Sequence, residues 1–451
     1  METLRYSVLF LTLICMSIHY ANIVLFNFTV ICMEPQDKSN NNTKAFTPVE
    51  EGWILSMVSV GGIVGTFPSI YITSQIGLRM SFTLSGYVSA IATVLMPLAS
   101  VNFYWILVVR FVQGFAMAFA NLACGAVPVT WGKATLRALF VSILTCSYQI
   151  GPMTAMLNAG YMCTSSFGWM AVYYLYGIIT VVFFTVFFVV YSNTPHKNWM
   201  ASKKVAPISE SDAPKLSQKN QHIPYRRMFQ TPSVWGIIIS TFANCVGYEM
   251  YLLYGPIFVD TVIKTDVQLT GILAALPYFI AMVVKPITGI FLDKATCISD
   301  YMRYIVFIGM IAVVGCVTLP ALTLTTSDMT CLSIALLLNA TTLSIQHVGL
   351  MGVVQIISQN RVADQYTHVL TSIIAAQNSA VGLVLPAVIA FFVPHYARSE
   401  WTAVFYGICV VIIVANVVFI AFTKARKAKF AHVTCQANSS EALKKISSSV
   451  L

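Results

Sequence analysis

Charge is scarce in this chain. Of 451 residues only 9% are Asp, Glu, Lys or Arg, while 57% are hydrophobic. That ratio excludes an ordinary soluble domain. Acid is scarcer than base, with 16 Asp and Glu against 26 Lys and Arg, for a net charge of +10. A basic balance can mean nucleic acid, but here the basic residues gather in short linkers and the tail, which is the pattern of a polytopic membrane protein. Also missing are paired His/Asp or Cys/His clusters, metal-ligand spacings and a phosphate-binding glycine loop. Neither an enzyme nor a metal or cofactor is therefore expected. The 11 cysteines mostly sit singly in apolar runs, which favours buried structural thiols. A Cys32–Cys163 disulfide is the lesser alternative, both residues falling near the non-cytosolic face.

What the chain does have is long apolar runs, with room for about twelve spans of ~20 residues. They are read at Tyr6–Met33, Gly52–Ser74, 81–100, Phe103–Thr130, Ala138–Tyr161 and Trp169–Tyr191. After a break they resume at Ser233–Val259, Leu269–Leu292, Arg303–Leu324, Thr330–Ile357, Thr367–Val393 and Trp401–Thr423. The fold class expected is an all-α membrane protein of twelve transmembrane helices in two six-helix pseudo-repeat bundles. Residues 1–191 form the first bundle, with an exposed loop at 34–51. Residues 192–231 form a basic, proline-dotted cytosolic linker. Residues 232–423 form the second bundle, and 424–451 a disordered cytosolic tail. A seven-span receptor does not fit this segmentation.

With the amino terminus in the cytosol, twenty of the 26 Lys and Arg fall on cytosolic segments, four outside, and Arg110 and Lys285 within spans. That bias places both termini in the cytosol. It also puts Asn41-Asn42-Thr43 on the far side, where Asn41 is a glycosylation acceptor. Asn27-Phe28-Thr29 has the same form but lies within a span, and Asn438-Ser439-Ser440 lies in the tail. Both are discounted.

The chain centres on Arg110 to Arg137, where a charged residue precedes a run of glycine and alanine ending at Trp131. Small residues allow close helix approach, and a charge at membrane depth needs a cavity or a partner. Six plus six spans around a basic linker is the layout of the major facilitator superfamily. The turns Gln75-Ile-Gly77-Leu-Arg79 and Gly289-Ile-Phe-Leu-Asp293-Lys294 are similar to its Gly-x-x-x-Asp-Arg turn, the first lacking the acid.

Seven short matches in order resemble one branch, the anion–cation symporters, which include sialin, the vesicular glutamate transporters and the sodium–phosphate cotransporters. They are Glu51-Gly-Trp-Ile-Leu-Ser56; Arg110-Phe-Val-Gln-Gly114 with Trp131 and Arg137; Gly168-Trp169 with Tyr174-Leu-Tyr-Gly177; Ile223-Pro-Tyr-Arg-Arg227; Thr231-Pro-Ser-Val-Trp235; Gly271 through Pro277-Tyr278; and Glu400-Trp401-Thr-Ala-Val-Phe405. The resemblance covers roughly 51–406. Four of the branch's charged positions are instead Ile23, Met117, Gly125 and Val246. Only Arg110 survives, so the branch's proton coupling and acidic-substrate recognition do not simply carry over.

The resemblance implies a secondary transporter of a small organic or inorganic anion, coupled to protons or sodium. It would be a monomer contacting membrane lipid, resident in the plasma membrane or a vesicle or lysosome membrane. A neutral or zwitterionic solute is the alternative, as is a non-transporting sensor or scaffold on the same fold. Arg110 would hold an anionic group, or else be a structural pair or snorkel to the headgroups. Glu249 in the seventh span is costly to keep ionised at that depth, so it would carry a proton or counter a cation; otherwise it packs as a neutral acid. His347 would relay protons, or pack. Lys285 would pair with Glu249 or fix an anion near the inner gate, or snorkel beside Asp293. Tyr20, Asn22, Tyr148 and Asn378 would line the substrate cavity, or bond between helices.

Overall fold

The computed structural model describes residues 2–33, 45–132, 137–193, 229–230, 232–294 and 367–422. The described residues are built almost entirely of helices, and seven of these are long and apolar enough to cross a membrane. Helix α1 spans Glu2–Thr29 and tightens into a 3₁₀ turn at Val30–Cys32. Helix α2 runs Pro48–Ala99, 52 residues, and is two limbs joined at a break. Its start is written locally. Thr47 caps the Glu50 amide, the Glu50 carboxylate returns to the Thr47 amide at 2.9 Å, and Pro48 takes the first turn, where its missing N–H costs nothing.

The break falls at Gly77, whose φ of 80° and ψ of 161° lie where a side chain is disfavoured. A Cβ there would also strike the Asn193 amide. Asn193 accepts from the Arg79 amide at 2.9 Å, and Arg79 Nε donates to the Phe188 carbonyl at 2.6 Å. The turn lacking its acid is thus docked by an asparagine instead, at the end of the helix Trp169–Val190.

The first half continues with α3 (Phe103–Trp131), α4 (Arg137–Leu144), α5 (Ser147–Thr164) and α6 (Trp169–Val190). The fifth apolar run is therefore two helices and not one. Between them the Cys146 amide bonds Ile143, three residues back, which overtightens the backbone and ends α4. Helix α7 covers Pro232–Phe258 and passes into a π turn at Val259–Ile263. Then come α8 (Val267–Lys294), α9 (Thr367–Phe392) and α10 (Arg398–Phe422). The ninth and tenth expected spans, the tail, most of the linker and Asn41 lie outside the described residues.

Glycine sets how close the helices come. A Cβ on Gly114 of α3 would overlap the Val58 carbonyl of α2, and one on Gly61 would overlap that of Phe111. This backbone-on-backbone crossing fixes the small-residue helix against the first limb of α2. Cys32 and Cys163 are bonded, with Cα atoms 6.1 Å apart, tying the ends of α1 and α5 together. The lesser alternative read from the sequence is thus the arrangement found at this pair, while Cys15, Cys124, Cys245 and Cys409 are the buried free thiols expected.

Candidate functional site

Among the described residues the two halves meet most closely where α2 packs on α9, α5 on α8 and α1 on α7. Their described contacts gather towards the end that carries the disulfide. Tyr396 donates to Glu51 at 2.6 Å, and Ser56 to the Leu383 carbonyl at 3.0 Å. A Cβ on Gly160 would stand 3.0 Å from the Gly271 Cα, so α5 and α8 meet there without side chains. Asn27 donates to the Leu252 carbonyl at 3.2 Å.

The face of α2 that meets α9 can be followed along the helix. Positions 52, 56 and 59 repeat at helical spacing and lie against α9. The same face continues through Ile63, Phe67 and Ile70, and there it is exposed, Phe67 by 81% and Ile70 by 54%. One face is thus covered at one end and open towards the other.

Glu249 sits where cover gives way to exposure. A Cβ on Gly382 of α9 would lie 3.8 Å from its Oε2 and would overlap the Ser59 hydroxyl of α2. The carboxylate, a serine of the first half and the bare backbone of α9 therefore surround one point. No hydrogen bond or ion pair reaches Glu249 among the described residues.

Beside it lies an aromatic, polar group drawn from both halves. Tyr20 of α1 donates to Asn121 of α3 at 2.7 Å, and Tyr148 of α5 donates to the same oxygen at 3.4 Å. The Tyr20 and Tyr148 rings are 4.5 Å apart. Tyr248 of α7 reaches across to the Tyr148 carbonyl at 3.4 Å. On the second half, Asn378 accepts from the Cys245 thiol at 2.8 Å. Gln377 accepts from Thr241 at 2.8 Å and donates to the Ile238 carbonyl at 2.8 Å.

Arg110 is elsewhere. It is fully buried inside the first half. Its Nη1 donates to the Ile23 carbonyl at 2.5 Å and to Gln113 at 3.3 Å, Nε to the Ile54 carbonyl at 3.4 Å, and Nη2 to Asn27 at 3.2 Å. The guanidinium also lies 5.1 Å from the Phe26 ring centroid. The position where the branch usually carries an arginine, Ile23, here offers its carbonyl to this one. Asn22 is equally committed, donating to Ser89 at 3.1 Å and Thr180 at 3.0 Å.

Of the residues singled out in the sequence, Tyr20, Tyr148, Glu249 and Asn378 thus lie along the seam, whereas Arg110 and Asn22 lie in the core of the first half. Lys285 and Asp293 fall on α8, with side chains outside the described residues. His347 lies outside them altogether. Asn121 and Ser59 were not singled out, although Asn121 was the lone amide in a run of small apolar residues.

The sequence profile of the Major Facilitator Superfamily matches residues 9–383. Among curated proteins, the chain is 26% identical over 302 residues to rat sodium-dependent phosphate transport protein 1, covering 63% of this chain and 65% of that protein. It therefore spans just under two thirds of that relative's length. It is 21% identical to the probable small intestine urate exporter of mouse, covering 84% and 77%, and 22% identical to human sialin, covering 83% and 75%. Among solved structures, a bacterial homologue of the human lysosomal transporter Spinster superposes with a TM-score of 0.68 at 14% identity, covering 94% of this chain and 97% of that one. A D-xylose–proton symporter gives the same score at 14% identity, covering 93% and 98%. Both likenesses concern the fold.

Proposed function

Because the chain belongs to the Major Facilitator Superfamily, we propose that it is an ion-coupled secondary transporter working by alternating access. It is a multi-pass integral membrane protein of a transporter family, and not an enzyme. The reading extends to twelve spans in two bundles, 1–191 and 232–423, with both termini cytosolic and the loop at 34–51 outside. The plasma membrane and a vesicle or lysosome membrane both suit it.

One observation carries this reading: a single face of α2 is covered by α9 from Gly52 to Ser59 and exposed from Ile63 to Ile70. A seam covered at one end and open towards the other would be one of the two states that alternation requires. On the proposed orientation the closed end is the outer one, so the state is open to the cytosol. Glu249, at the limit of the closure, is the proposed proton or ion site.

The substrate class proposed is a small organic or inorganic anion, as the names of the phosphate, urate and sialin relatives suggest. Arg110 is already engaged, so the counter-charge would fall to Lys285 or His347. A second reading, a neutral or zwitterionic solute, is favoured by the group Tyr20, Asn121, Tyr148 and Tyr248, which is polar and uncharged.

The test is uptake by the purified protein in liposomes, under separately imposed proton, sodium and potential gradients. Phosphate, urate and sialic acid would be offered beside neutral sugars and amino acids. Driven accumulation of an anion supports the first reading, and of an uncharged or zwitterionic solute the second. Binding without flux would move the assignment to a sensor.

A further inference from the structure

Helix α7 carries Pro256. Proline has no amide hydrogen, so the carbonyl four residues earlier loses its helical partner. That carbonyl belongs to Leu252, and it accepts from Asn27 of the other half at 3.2 Å. An orphan acceptor made by a proline in one half is thus satisfied by a side chain from the other.

The direction of the Asn27 amide is not free. Its oxygen accepts from Arg110 Nη2 at 3.2 Å. A guanidinium only donates, so it can face only the oxygen end of the amide, and the NH₂ end must point away. It points at Leu252. Arg110 is itself fixed by the Ile23 and Ile54 carbonyls and by Gln113. Gln113 is held in turn by the Asn22 carbonyl and Thr93, each at 3.2 Å. A rigid polar chain buried in the first half therefore ends in one aimed donor, and Asn27 is only 1% exposed.

We propose that Asn27 is the positioning residue of the closed end, set by Arg110 and latched on the carbonyl that Pro256 leaves free. This rests on the alternating-access reading. When the halves part at this end, water must replace Asn27 on Leu252. When they close, the bond is remade without any rotamer search, because Arg110 holds the amide ready. Leu252 lies one helical turn beyond Glu249, so the latch grips α7 next to the proposed ion site.

The test compares labelling by a membrane-impermeant maleimide at two reporters, in full-length protein in liposomes. Ser59→Cys is probed from the closed side and Phe67→Cys from the opposite side. Asn27→Asp keeps an acceptor for Arg110 but sets an oxygen against the Leu252 carbonyl. It is expected to raise Ser59→Cys labelling by about tenfold or more, and Asn27→Ala by somewhat less, a hydrogen bond's worth. Pro256→Ala restores the amide that serves Leu252 within α7. In that background Asn27→Ala is expected to change labelling little.

If labelling at Ser59→Cys is the same in Asn27→Asp as in the parent, with both eluting as monodisperse protein, the latch is wrong. If Asn27→Ala has the same effect with and without Pro256→Ala, the orphan carbonyl is not what it serves, and the proposal also fails. A rise at Ser59→Cys with a fall at Phe67→Cys is the result expected. A rise at Ser59→Cys with no change at Phe67→Cys would keep the latch and sink alternating access.

Discussion

Tyr396 donates a 2.6 Å hydrogen bond to Glu51 across 345 positions of sequence. Tyr396 is also one of two non-glycine residues with positive φ among the described residues, at 55°. A tyrosine held in that region costs conformational energy. The bond to a buried carboxylate joins a ring that also stacks on Trp401, centroids 6.2 Å apart.

Tyr396→Phe keeps the ring and removes the donor. A hydrogen bond to a charged group contributes roughly 1.5–3 kcal/mol, so the variant is expected to open this end. Spin labels at Val49→Cys and Pro394→Cys would report it as a second, longer distance. An unchanged distance distribution would mean that the bond follows closure and does not support it.

Arg110→Lys is expected to behave as a folding defect. A lysine offers three donors from a single point, against a fork that serves four acceptors. The loss is expected at ~2 kcal/mol or more, read as a lower melting temperature of the detergent-purified protein without substrate. A normal melting temperature with a raised KM would return Arg110 to the substrate site.

Glu249→Gln removes the only carboxylate found at the margin of the closure among the described residues. Uptake by the parent is expected to rise with an imposed proton gradient if Glu249 carries the proton. The glutamine variant, permanently neutral, is expected to lose that response while still exchanging substrate. Driven uptake that survives unchanged would assign the coupling to another residue.

Gly160→Leu places a side chain into the backbone of α8, where only 3.0 Å separates a Cβ from the Gly271 Cα. Closure of this end, and hence cycling, is expected to fail while the protein still folds. Gly125→Leu is the matched control, since nothing lies within 4 Å of a Cβ there. Equal activity in the two variants would show that α5 and α8 need not meet.

The helices were legible because apolar length and local signals agree. The turn around Gly77 was read, whereas the cap of Thr47, Pro48 and Glu50 that starts α2 ahead of the apolar run from Gly52 was not. The site was legible only by halves. Glu249, Tyr20 and Tyr148 stood out as polar groups at membrane depth, a property that residues of the seam share with those of a bundle core. Arg110 stood out for the same reason, but two of its four acceptors are main-chain carbonyls. A carbonyl has no residue-type signature, so no sequence pattern separates a guanidinium spent on Ile23 and Ile54 from one waiting for a ligand. Asn121 was missed because one amide among alanines reads as packing until Tyr20 and Tyr148 are seen to converge on it. The partnership of Asn27 with Pro256 is hidden by a separation of 229 positions.

Asn27 opens the triplet Asn27-Phe28-Thr29, and both of its polar members are spent: the amide on Arg110 and Leu252, the threonine hydroxyl on Tyr173 at 2.5 Å. The triplet is a glycan acceptor in form, buried in a correctly inserted chain and reachable only when the first helix slips towards the lumen during synthesis. A sugar at Asn27 would then be a permanent mark on a molecule that was threaded wrongly, since the glycan cannot be accommodated beside α7. Glycopeptide mapping at this one asparagine would count failures of membrane insertion, in wild type and in every variant above that keeps Asn27, before any transport is measured.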